Sequence, residues 1–106
     1  MELLTKELLD AFKKQGNCSE KKPEDVKIII KMFNPCGKGT WYCTEYNPKD
    51  KIFFGFVSIF NDHCDELGYF SLDELKSVKG PLGLGIERDL HFGEHTLKEV
   101  LDGDRP

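Results

Sequence analysis

The sequence has no Cys-x-x-Cys pair, so its four cysteines do not follow a familiar zinc-ribbon or zinc-finger spacing. No apolar run approaches the ~18 residues that a membrane-spanning helix needs, so no spanning helix is expected. The opening Met1-Glu2-Leu3-Leu4 lacks the basic leader and long apolar core of a secretory signal. No internal repeat or linker divides the 106 residues, and a single domain over 1–106 is expected. Gly80 to Gly85 (GPLGLG) follows a predicted helix rather than a strand and has no Lys-Ser/Thr ending, which makes it a plain loop rather than a phosphate cradle. These absences point to the cytoplasm, where thiols stay reduced. Cysteines there serve as metal ligands or core residues rather than as disulfides.

What is present is ordinary for a globular chain: 39% hydrophobic residues, eight of them Phe. A domain of this size has a modest core, so a structural metal would be a useful staple. The formal charge of -4 is uneven: residues 1–60 sum to +2 and residues 61–106 to -6. The acidic half argues against phosphate binding through that face. It suits a basic partner or is a solvated surface.

Thr5 caps a predicted helix over 5–14, whose apolar stripe is Leu8, Leu9 and Phe12 and whose stop is Gly16-Asn17. Strands are expected at Val26 to Phe33, Thr40 to Tyr46, Ile52 to Phe60 and Gly68 to Phe70, separated by Pro- and Gly-bearing turns. An edge strand is expected near Glu87–Phe92. Ser71 with Glu74, and Thr96 with Glu99, have the spacing of capping boxes that open two further short helices. The fold class is therefore α+β: an antiparallel meander of four to five strands flanked by two or three short helices.

In a meander, the turn 34–39 and the turn 61–67 fall at the same end of the sheet. That grouping makes Cys36, Cys43, His63 and Cys64 the candidate metal ligands, with zinc the expected ion. Thiolate and imidazole are its preferred donors, at roughly 2.0–2.3 Å in a tetrahedron. Cys18, His91 or His95 can replace His63 if the long loops fold back. Four protein ligands leave no open position for an activated water, so the site would be structural. The plainer reading is buried small cysteines beside a surface histidine.

Catalytic signals are weak. No third group orients a Cys-His pair and no oxyanion loop is evident, so no enzyme is expected. Trp41, Tyr42, Tyr46, Tyr69 and the Phe run are core residues in the absence of a basic groove, rather than a base-stacking platform. Glu87, Arg88 and Asp89, with Asp73 and Glu74, read as exposed ion pairs or helix caps.

At LLTKELL (3–9), FNPCGKGTWYCTEYNP (33–48), FFGFV (53–57), ELGYFSLDEL (66–75) and GPLGLGIERDLHF (80–92), the chain resembles the family named domain of unknown function 2958. The resemblance covers nearly the whole chain. It implies a small protein of phages, plasmids or integrative elements, in the cytoplasm of a bacterial host, and offers no catalytic motif to carry over. In the family pattern the positions of Cys36, Cys43 and Cys64 are not generally cysteine, so a metal site is not inherited. The leading expectation is an anti-CRISPR protein that inhibits a Cas9-type effector nuclease. The acidic residues 61–106 would dock on its basic nucleic-acid channel, with no direct contact to nucleic acid. The alternative is a nucleic-acid-associated accessory protein using the basic first half. A metal-dependent hydrolase is the weakest option.

Overall fold

Hydroxyl caps mark where the three helices begin. The computed structural model describes residues 3–35, 39–58, 66–78 and 85–104. Helix α1 spans Lys6–Gln15. The Leu8 amide donates to Thr5 Oγ1 at 3.3 Å, and Gly16 ends the helix at φ 66°. Helix α2 (Leu72–Ser77) is capped by Ser71 Oγ, which accepts from the Glu74 amide, and α3 (Leu97–Leu101) by Thr96 Oγ1, which accepts from the Glu99 amide. The Glu99 carboxylate meets His95 Nδ1 at 2.8 Å.

The strands are β1 (Ile30–Phe33), β2 (Thr40–Asn47), β3 (Ile52–Ser58), β4 (Glu66–Ser71) and β5 (Glu87–Arg88). They form one antiparallel sheet in the order β4-β3-β2-β1-β5, so the expected α+β meander stands, with β5 added beside β1. Three expected bounds shift by two residues or more, one of them the end of β5, at Arg88 rather than near Phe92. Val26 to Ile29 does not belong to β1: the Leu97 amide donates to the Val26 carbonyl at 2.8 Å and the Ile28 amide to the His95 carbonyl at 2.9 Å. Val26 and Ile28 bury against Leu97 and Val100 of α3 instead of lengthening the strand. β4 begins at Glu66, two residues before Gly68. Residues 59–60 of the expected third strand lie outside the described residues.

Successive strand residues face opposite sides, and both sides carry a core. On one, Phe12 of α1 and Leu72 and Leu75 of α2 pack with Met32, Cys43, Phe53 and Phe70. On the other, Tyr42 and Phe56 pack with Leu97 and Val100 of α3. The β2–β3 register slips between Cys43 and Glu45, leaving Thr44 as an extra residue. Its hydroxyl donates to the Phe54 carbonyl at 3.2 Å.

Gln15 fills the gap where β1 diverges from β2. Its amide nitrogen donates to the Thr44 carbonyl at 2.7 Å and the Lys27 carbonyl at 3.0 Å, and its oxygen accepts from the Lys27 amide at 2.9 Å. Gln15→Ala is expected to lower stability by about 1–2 kcal/mol in urea denaturation, since water can replace the bonds at exposed Lys27 but less readily the one at the Thr44 carbonyl.

Candidate binding groove

Three of the four expected metal ligands, Cys36, His63 and Cys64, lie outside the described residues. The strand ends nearest them, Phe33, Thr40, Ser58 and Glu66, do share one end of the sheet. Cys43 is three residues in from Thr40, about 10 Å along the strand. It is fully buried, paired with Ile30 and Gly55, and packed in the core with Phe12, Met32 and Phe53. Burial pushes its thiol well above the ordinary range, against the thiolate that a metal requires. Its placement is that of a core residue.

The alternates are scattered. Cys18 packs beside the α3 core, and its amide donates to Glu45 Oε1 at 2.8 Å. Burial and then the Glu45 charge raise its thiol. His95 is held by Glu99, and His91 is exposed. Among the described residues no group of three or more His, Cys, Asp or Glu side chains could hold a metal ion. Cys43→Ser is expected to cost about 1–2 kcal/mol, because a hydroxyl would be buried in an apolar core. Mass spectrometry of the purified variant is expected to find the metal content of the wild type.

The other expected candidates are structural. Asp89 pairs with Lys31 at 3.6 Å, and Asp73 and Glu74 lie in the first turn of α2. Tyr42, Phe53 and Phe56 are in the cores and present no face to a base. Tyr69 differs: it is 78% exposed, although the sequence pattern grouped it with the core aromatics.

Tyr69 stands over a groove of about 1200 Å³. The groove runs from Leu9 of α1 past Cys18, across Phe54 of β3 and Leu67 and Tyr69 of β4, to Leu101 of α3. Leu9, Leu67 and Leu101 are exposed as well, so the floor is apolar and open to water. The Phe54 and Tyr69 rings meet edge-on with centroids 4.9 Å apart. The charged wall residues are Asp10, Glu45 and Asp50 against Lys13 and Lys21, so the lining is acidic on balance. Sequence reasoning missed this site. Its signal was the alternation in Glu66-Leu67-Gly68-Tyr69-Phe70, which puts Leu67 and Tyr69 on the face opposite Phe70. The arrangement can bind apolar side chains.

No helix among the described residues is long and apolar enough to cross a membrane. A family model described as "Protein of unknown function (DUF2958)" matches residues 3–102. No curated protein and no solved structure matches the chain.

Proposed function

The chain belongs to that family, and from this premise we propose that it is a binding protein rather than an enzyme, which acts by occupying a basic surface on a nucleic-acid-handling partner. The observation that carries the reading is the acidic C-terminal half: Glu66, Asp73, Glu74, Glu94, Asp102 and Asp104 are all exposed. These carboxylates lie on both sides of the sheet, at α2 and at α3, and their summed negative field steers a small protein toward a positive channel and competes there with phosphate.

The specific partner we propose is an effector nuclease of the Cas9 type, in keeping with the resemblance to proteins of phages and plasmids. Its guide and target strands lie in a positively charged channel. Binding is expected to be stronger to the guide-free effector, to suppress cleavage, and to weaken as ionic strength rises. Pull-downs with and without guide RNA, paired with a cleavage assay, test this. The absence of both binding and loss of cleavage across several orthologues would remove the partner. Salt-sensitive gel shifts on DNA alone would favour the nucleic-acid accessory reading instead.

A structural zinc involving Cys36, His63 and Cys64 is a separate proposal. Bound zinc in the wild type that is lost in Cys64→Ser supports it, and a zinc-free wild type removes it.

A further inference from the structure

The two edges of the sheet are finished differently. At one edge β5 has only two residues, Glu87 and Arg88, both charged. A short charged edge resists the addition of another strand. At the other, β4 has six residues with neither Pro nor Lys, and no described residue pairs with its outer side. The Leu72 amide donates to the Lys51 carbonyl at 3.0 Å, just beyond the Ile52–Ser71 pair. Antiparallel alternation from that bond directs the backbone groups of Gly68 and Phe70 to β3 and turns those of Leu67 and Tyr69 outward. The same two residues expose their side chains beside Phe54 in the groove.

We infer that the outer edge of β4 takes an extended, basic segment of a partner protein as a sixth strand, with alternate apolar side chains of that segment lying over Leu67, Tyr69 and the groove. Main-chain bonds supply affinity in such an arrangement, and the pockets for alternate side chains supply specificity. Charge selects the occupant. Glu66 opens β4, and exposed Asp73 and Glu74 follow it in the first turn of α2. A second copy pairing antiparallel with β4 would bring Glu66 of each chain close to Asp73 of the other, acid against acid. A strand bearing Lys or Arg meets the same carboxylates favourably. The inference rests on the reading of the chain as a binding protein and does not depend on the partner being a Cas9-type effector.

The test is an NMR titration of the full chain with two synthetic peptides of about eight residues, one alternating Lys and Val, the other Glu and Val. The Lys-Val peptide is expected to slow amide exchange at Leu67 and Tyr69, and the Glu-Val peptide to bind at least about tenfold more weakly. Tyr69→Pro removes an outward amide while sparing the bonds to β3, and is expected to abolish binding. Tyr69→Ala keeps that amide and is expected to keep the protection at Leu67 with affinity reduced several-fold. Leu67→Lys combined with Tyr69→Lys, which leaves the backbone intact and repels the Lys-Val peptide, is also expected to lose binding and covers the case in which the proline variant does not fold. No protection in the wild type, equal binding of both peptides, or undiminished binding by the folded variants overturns the inference. So does a concentration-dependent dimer that protects Leu67 and Tyr69 without peptide. An effector that binds wild type and Tyr69→Pro equally overturns strand addition and leaves the binding reading intact. Peptide binding without any effector binding does the reverse for the proposed partner.

Discussion

Gly55→Ala is expected to leave no cooperatively folded protein. Gly55 lies in β3 directly opposite Cys43, beside the Thr44 bulge. A Cβ there would overlap the Tyr42 carbonyl oxygen and come within 2.9 Å of its carbon and 3.0 Å of the Cys43 Cα. All three atoms are backbone of β2, the strand between β1 and β3, so no side chain can rotate away. The residue is needed for space. Relief requires β2 and β3 to separate at the point where both cores meet the sheet, which puts the expected cost above about 4 kcal/mol, beyond most single substitutions. Circular dichroism melts and amide dispersion measure it. Gly68, paired with Gly55 across β4, is the control: a Cβ there meets nothing within 4 Å, and Gly68→Ala is expected to change stability by less than about 1 kcal/mol. A Gly55→Ala protein that melts within a few degrees of wild type would show that the strands are free to part.

The contrast between those glycines shows what a sequence conveys here. Local rules were legible: Thr5, Ser71 and Thr96 each cap the helix their spacing announces, and Asn47 accepts from the Lys49 amide at 3.0 Å in the turn that closes β2. The meander order was legible because short turns force neighbours to pair. Depth and partner choice were not. Val26 to Ile28 is as β-prone as Ile30 to Phe33, yet Gln15, His95 and Leu97, distant in sequence, draw its backbone away from β2, while the Ile29 amide still donates to the Cys43 carbonyl at 2.8 Å. Cys43 belongs to a strand that begins four residues after Cys36 in the sequence, but three residues of rise from Thr40 carry it into the core, where hydrophobic packing outweighs donor chemistry. The groove needs α1, β4 and α3 at once, and no short window contains all three.

Phe53→Ala is expected to cost about 3–5 kcal/mol, whereas Phe54→Ala, one residue along, costs about 1 kcal/mol. Phe53 is fully buried, and its ring centroid lies 4.6 Å from that of Tyr46, 5.5 Å from Phe70 and 5.9 Å from Phe12. Truncation leaves a cavity that β2, β4 and α1 all border, and none can collapse into it without losing its own contacts. Phe54 points to the other side, half-buried in the groove against Tyr69. Its removal opens the groove floor while the core stays filled. Urea denaturation separates the two by stability, and the Lys-Val titration separates them by function. Folded Phe53→Ala, studied at low temperature, is expected to retain peptide protection at Leu67. Phe54→Ala is expected to keep most of its stability and lose most of its affinity. Equal losses of affinity in both would mean that the peptide senses global loosening rather than the groove. The period of two along β3 therefore puts Phe53 in one core and Phe54 at the groove, beside the second core that Phe56 fills.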